Sequence, residues 1–130
     1  MHQPLVHSNH DLVSVVIPAY NSGDFLPIAI ESVIAQTHLA VEIIVVDDGS
    51  TDDTKVVCAN YLAVKYIYQP NQGAASARNT GISASRGDYL IFLDSDDYLF
   101  PEAIEIGIDC LNANPGNGFE IGRASCRERV

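Results

Sequence analysis

Three carboxylates fall within four positions of this 130-residue chain, at Asp94, Asp96 and Asp97. They follow Tyr89-Leu-Ile-Phe-Leu93, an apolar run that reads as a buried strand, and Pro101-Glu102 opens helix-like sequence just beyond them. Acids clustered at a strand's carboxyl end repel one another unless a cation holds them. Their hard oxygens suit a divalent metal, and parallel sheets collect ligands beyond the carboxyl ends of their strands. A metal site at the mouth of an α/β sheet is therefore one reading. A solvated turn is the other, because Asp is a common turn residue, and these residues alone leave both open.

Two further constellations bear on the same chemistry. Asp47-Asp48-Gly49-Ser50 closes a second apolar run. It makes either a tight turn with a helix cap or a pair of acceptors for a base or ribose. Arg78 follows Ala74, Ala75, Ser76 and Ala77, small residues that permit close approach of a strand or a ligand. It is one of four basic residues before Phe119, with Lys55, Lys65 and Arg86. The expectation is that Arg78 pairs with one of the acidic clusters, as a structural bridge or to orient the acid. The glycine fingerprint G-x-G-x-x-G and the P-loop are both missing, which argues against nicotinamide dehydrogenases and P-loop NTPases. His2, His7, His10 and His38 have no metal-ligand spacing and are read as surface residues. Tyr66, Tyr68 and Tyr89 are read as strand aromatics that pack.

The elements that must position these groups follow from periodicity. Leu12–Pro18 and Val41–Val46 are nearly continuous apolar runs rich in β-branched residues, as in strands covered on both faces. Val64–Gln69 alternates and reads as a third strand; Tyr89–Leu93 is the fourth. Between them, Asp24–Thr37 carries apolar or small residues at helical intervals, with Pro27 in the first turn. A second helix runs from an N-cap at Ser50, with Asp53 three residues on, to about Leu62. A third, of small residues, runs from the loop at Asn71-Gln-Gly73 to about Ser85. A fourth runs from Pro101 to about Ala113. Strands alternating with helices give a parallel sheet with right-handed crossovers. Tyr20-Asn21, Asp47-Asp48 and Asp94-Ser95-Asp96 then share the sheet's ligand edge.

Composition bounds the rest. The chain is 47% hydrophobic and 18% charged, one domain with a sizeable core. Its net charge of −10 argues against nucleic acid as partner. An anionic small ligand would need a metal, an arginine or a helix N-terminus. The cysteines Cys58, Cys110 and Cys126 are odd in number and lack metal-ligand spacing; free thiols in a reducing compartment are expected. No apolar stretch reaches a membrane span. Residues 1–11 read as a flexible arm. From Glu120 onward three arginines fall in eleven residues without periodicity. That segment resembles the conceptual translation of a sequencing adapter. Residues 120–130 are therefore expected to be a non-native tail, a native basic tail being the alternative.

Four segments, in this order and spacing, closely resemble glycosyltransferase family 2: Val15-Val-Ile-Pro18-Ala19-Tyr20-Asn21, Val45-Val-Asp47-Asp48-Gly49-Ser50-Thr51-Asp52, Asn71-Gln-Gly73-Ala-Ala-Ser-Ala-Arg78-Asn79-Thr-Gly81, and Phe92-Leu-Asp94-Ser-Asp96-Asp97. The resemblance implies a GT-A, Rossmann-like nucleotide-diphospho-sugar transferase fold, present over 12–119 as its N-terminal, donor-binding part and truncated there. It implies a nucleotide-sugar donor, UDP-linked by expectation, an inverting hexosyltransferase-type reaction, and a glycan, lipid or protein acceptor. Cell-envelope polysaccharide synthesis is the implied setting, in the cytoplasm or at the membrane's cytoplasmic face, with membrane association of the full-length protein open.

By resemblance, Pro18, Ala19 and Tyr20 line the base pocket. Asp48 accepts from a ring N–H of the base, with Asp47 as the weaker candidate. Arg78 lies near the nucleotide. Asp94 lies near the ribose, Ser95 counts among the donor-binding residues, and Asp96 with Asp94 holds Mg²⁺ or Mn²⁺. The family's catalytic base lies well after the Asp-x-Asp motif, so no residue is assigned that role. The isolated chain is expected to be inactive and poorly soluble, with apolar surface uncovered at the sheet edge. Rivals are an Asp-x-Asp phosphotransferase, which wants its acids after the first strand; a receiver-like phosphoacceptor module, which needs a lysine at the edge where neither Lys55 nor Lys65 is placed; and a nucleotide-binding module without transferase activity.

Overall fold

The computed structural model describes residues 11–113, together with the backbone of 118–120 and 125–127. The arm expected over 1–11, with His2, His7 and His10, lies outside the described residues except for Asp11. Four parallel strands, β1 (Val13–Ala19), β2 (Val41–Asp48), β3 (Val64–Gln69) and β4 (Tyr89–Phe92), form one sheet in the order β3-β2-β1-β4. Helices α1 (Leu26–Ile34), α2 (Thr54–Ala59), α3 (Ala74–Ala84) and α4 (Ala103–Ala113) follow the strands in turn.

The apolar runs are continuous because β1 and β2 are covered on both sides. Val13, Val15 and Ile17 face a layer built from α1, α2 and α4, where Leu26, Ile30, Val33, Cys58, Ile104 and Ile108 are buried. Val16, Ile44 and Val46 face Ala77 of α3 on the opposite side. Full burial of each such side chain contributes about 1.5–3 kcal/mol. On its side α3 sits very close: a Cβ built on Gly81 would stand 2.3 Å from Val16 Cγ1. The small residues that looked ready for strand or ligand thus serve the strand at Ala77 and Gly81.

Buried Gln36 joins the two ends of the other layer. Its Nε2 donates to the Phe100 carbonyl at 2.8 Å and its Oε1 accepts the Ile104 N–H at 2.9 Å. Ser32 Oγ accepts the Leu99 N–H at 3.0 Å. Together they fix the segment that carries the acids to the back of α1.

Several expectations need correction. Helix α2 begins at Thr54, not after Ser50, and ends at Ala59 rather than near Leu62. Thr51 and Asp52 are held instead by the side chain of Asn21, and Asp52 Oδ1 takes both the N–H and the hydroxyl of Thr54. His38 is buried, not superficial: its Nε2–H donates to the Asp11 carbonyl at 2.7 Å, and its Nδ1 has no partner. The α1–β2 connection tucks it under the sheet, which a lone histidine in sequence cannot announce. Cys58 is a free, buried thiol as expected, but Cys110 is disulfide-bonded; an odd count leaves room for one bridge. Gly118–Glu120 and Ser125–Arg127 pair as short antiparallel strands β5 and β6, which no alternation in that segment foretells. No described helix is long and apolar enough to cross a membrane.

Candidate functional site

The site is assembled from loops at the carboxyl ends of the strands. Beyond β1, Asn21 adopts a left-handed backbone, φ 50°, which Asn tolerates better than most side chains. In that geometry its N–H donates to Ser50 Oγ at 2.8 Å, and its Oδ1 accepts the N–H groups of Thr51 and Asp52 at 2.8 and 3.2 Å. Asp52 Oδ2 accepts the Gly23 N–H at 3.0 Å. The turn after β1 is thereby sewn to the turn after β2, and Tyr20 is left 53% exposed between them.

Beyond β4 the chain turns at once. Leu93 N–H donates to the Val16 carbonyl, and Asp97 N–H closes a turn onto the Asp94 carbonyl, both at 3.0 Å. Ser95 Oγ donates to Ser22 Oγ at 2.7 Å, which ties this turn to the one after β1. Within it, one ligand atom from each of Asp94, Asp96 and Asp97 lies within 4.8 Å of the others, all three side chains being exposed. Three hard oxygens so close suit a divalent cation of the Mg²⁺ or Mn²⁺ kind.

These turns and α3 enclose a cleft of about 370 Å³. Pro18, Tyr20, Asn21, Ser22 and Phe25 line it from the β1–α1 side, Ala74 and Arg78 from α3, and Asp94, Ser95 and Asp96 from the acid turn. Six of the anticipated residues therefore meet: Pro18, Tyr20, Arg78, Asp94, Ser95 and Asp96. Arg78 is half-buried and forms no hydrogen bond or ion pair among the described residues, so the expected pairing with an acidic cluster is absent. A guanidinium left unpaired at a cleft wall opposite carboxylates is placed for an anion that arrives with its own cation.

Ala19, Asp47 and Asp48 stand outside the cleft lining. Ala19 is buried in the core layer facing α1. Asp47 Oδ1 accepts the Ser50 N–H at 2.9 Å and its Oδ2 accepts from the Tyr66 hydroxyl at 2.5 Å. With Ser50, Asp52, Tyr66 and Tyr68 it borders a second hollow of about 330 Å³. Lys55, read from sequence as remote from this edge, borders it too. Burial raises the Tyr66 hydroxyl pKa, with the bond to Asp47 adding to it.

Asp48 is 4% exposed and fully engaged. Its Oδ1 accepts from Gln69 Nε2 and the Gln72 N–H at 2.9 and 2.8 Å. Its Oδ2 accepts the Gly73 N–H at 2.9 Å and faces Asn71 Nδ2 at 3.4 Å. Burial works against the charged form, yet the bonds from Gln69, Gln72 and Gly73 prevail and hold the Asp48 pKa below the ordinary carboxylate range.

The residues missed in sequence are Asn21 as the stitch between turns, and Ser22 and Phe25 in the lining; Asp97, counted with the acidic cluster in the sequence, stands beside Asp94 and Asp96 here. The Asn21-Ser22-Gly23 turn signal marks the first two; Phe25, an apolar residue 54% exposed, carries no signal at all. A larger apolar hollow of about 440 Å³ runs beside the edge strand β4, lined in part by Tyr89, Phe92, Ile104 and Leu111. Among the described residues it gathers no constellation of reactive groups.

Comparison with known proteins places this geometry. The sequence profile of Glycosyl transferase family 2 matches residues 14–125. An uncharacterised glycosyltransferase of Rickettsia conorii is 42% identical over 109 residues, covering 82% of this chain and 18% of the relative. Chondroitin synthase of Escherichia coli is 44% identical over 102 residues, 75% of this chain and 15% of that protein. In structure, S. aureus TarS 1–349 in complex with UDP-GlcNAc superposes with a TM-score of 0.75 at 29% identity, covering 80% of this chain and 32% of that one. The chain thus spans between about a seventh and a third of the length of these relatives. The four-stranded parallel sheet with its flanking helices is the GT-A fold, and the chain belongs to glycosyl transferase family 2.

Proposed function

We propose that the cleft receives the nucleoside-diphosphate part of a sugar donor, and that the protein to which this chain belongs transfers the sugar to an acceptor hydroxyl. One observation carries the reading: unpaired Arg78 and the carboxylates Asp94 and Asp96 line the same 370 Å³ cleft. The exposed Tyr20 ring offers a stacking face for a base beside Pro18. Arg78 supplies fixed positive charge where the diphosphate would lie.

The buried Asp48 carboxylate, bonded to the Gln72 and Gly73 N–H groups just ahead of α3, offsets the positive end of that helix dipole. The burden of charge therefore falls on Arg78 and on a cation at the acid turn. Asp94 and Asp96, with Asp97 beside them, would hold that cation, Mg²⁺ or Mn²⁺. When bound it would act as a Lewis acid on the departing diphosphate.

A UDP-sugar is the favoured donor, because the 29%-identical TarS binds UDP-GlcNAc. Transfer of a hexosyl unit with inversion follows the family resemblance, the acceptor hydroxyl attacking the anomeric carbon from the face opposite the diphosphate. Because the chain spans only a part of its relatives, we assign it the donor-binding part and expect no transfer from it alone. Calorimetric titration with UDP, with and without Mn²⁺, tests the core of the reading. Binding that needs the metal supports it; indifference to both nucleotide and metal overturns it.

A further inference from the structure

The acid turn has little to hold its shape. The carboxylates of Asp94, Asp96 and Asp97 are exposed and form no hydrogen bond among the described residues. Gathered within 4.8 Å of one another, their like charges push the turn open until a cation arrives. One backbone bond closes it, from the Asp97 N–H to the Asp94 carbonyl, and the next fixed point is the Leu99 N–H on Ser32 Oγ. Among the described residues, a single hydrogen bond ties positions 94–98 to another element. It is the one that Ser95 Oγ donates to Ser22 Oγ at 2.7 Å.

Ser22 is placed to receive it. The residue is 7% exposed, and every polar atom it carries is bonded. Its N–H donates to Thr54 Oγ1 at 3.2 Å, where α2 begins. Its carbonyl accepts the N–H groups of Phe25 and Leu26 at 3.0 and 2.9 Å, where α1 begins. Its own hydroxyl donates to the Tyr20 carbonyl at 3.2 Å. The donors therefore run one way, from Ser95 to Ser22 to the backbone of Tyr20, and bonds linked in series polarise one another. This short chain joins two walls of the cleft: the exposed Tyr20 ring, and the turn that carries Asp94 and Asp96.

We infer that Ser22 is a positioning residue for the donor and its cation: through Ser95 it clasps the acid turn at a set distance from Tyr20, so that one nucleotide meets both walls. The inference rests on the reading of the cleft as a donor site. Its physical content is preorganisation. A turn held in place before the cation arrives loses less freedom on binding it.

The test compares the wild-type chain with Ser22→Ala, Ser95→Ala, the double variant and Ser95→Thr, which keeps a hydroxyl. Mn²⁺ is titrated alone, with the free ion counted by electron paramagnetic resonance. UDP is then titrated at saturating Mn²⁺, and amide hydrogen exchange at Asp97 is followed in the metal-free chain. Loss of one net hydrogen bond predicts that each alanine variant binds Mn²⁺ roughly two- to tenfold more weakly. UDP affinity should fall with it, and exchange at Asp97 should quicken before any metal is added. Because both substitutions break the same bond, the double variant should be no weaker than the worse single one. Ser95→Thr should stay within about twofold of the wild type.

Ser22 is buried, so its replacement could act through stability alone; Ser95 is only half-buried and supplies the variant free of that objection. Unchanged Mn²⁺ binding in Ser95→Ala, or losses that multiply in the double variant, would overturn the clasp and leave the donor reading standing. A wild-type chain that binds no Mn²⁺ ends the inference. One that binds neither Mn²⁺ nor UDP ends the donor reading with it.

Discussion

Gly81→Ala pits two effects of opposite sign against each other. In an exposed helix interior, alanine would stabilise relative to glycine by about 1 kcal/mol. Here the new Cβ would lie 2.3 Å from Val16 Cγ1, 3.0 Å from Cγ2 and 3.2 Å from Cβ. Ordinary carbon–carbon contact is about 3.5–4.0 Å, so one partner must retreat by more than about 1 Å. Val16 is fully buried on the central strand β1, hydrogen-bonded between β2 and β4, and stiff at χ1; α3 must therefore move. Overpacking of this kind costs about 1–3 kcal/mol. Because the neighbour is pinned, the upper part of that range applies, and the net loss is about 1–2 kcal/mol after the propensity gain.

For a domain of this size the melting temperature should fall by roughly 4–8 °C. Differential scanning calorimetry reads it, with Ser83→Ala on the exposed face of α3 as a control that gains propensity alone. In a Val16→Ala background the clash disappears, and the two substitutions together should cost less than their sum. A melting temperature for Gly81→Ala equal to or above the wild type would refute the close-packing account of α3. Since α3 also carries Arg78, the same variant should weaken UDP binding although it never touches the cleft.

Asp96→Asn should abolish the Mn²⁺-dependent part of UDP binding while leaving the melting temperature within about 1 °C, because the side chain is exposed; titration with and without metal checks it. The Cys58 thiol, pushed up to about 11 by burial and then by the Asp47 carboxylate, should resist a disulfide-exchange reagent at pH 8 and react only as the chain unfolds in urea. Asp48 has a folded pKa below its unfolded value, so its contribution is full above the ordinary carboxylate pKa of about 3.9. It is lost as pH falls through the lower folded value. Urea midpoints between pH 6 and 2 should therefore drop more steeply for the wild type than for Asp48→Asn, and parallel curves would count against the bonds described.

The sheet was legible because β1 and β2 are sandwiched between helix layers. Burial on both faces demands unbroken apolar runs, and few other environments do. The acid turn was legible for a related reason: carboxylates at the end of such a run have no place in the core and must emerge at its rim. Arg78 could be placed at that rim by its helix, but whether it was spent on a salt bridge could not be read. Pairing depends on which residue of another element lies within a few ångströms.

The limits fall where a residue's partner is distant in the chain. Asn21 turns out to stitch two loops, His38 is drawn under the sheet to meet Asp11, and Gln36 bridges α1 to α4. Asp47 and Asp48 are neighbours on one strand, so the pleat sends them to opposite sides. One meets Tyr66; the other meets the loop that starts α3. Residue types and their spacing were enough to name an α/β sheet with acids at its mouth. Which of those acids border the cleft and which are bonded within the scaffold was decided by the folding of β3 and α3 against β2, since a buried carboxylate goes to whatever donors the neighbouring backbone brings within reach.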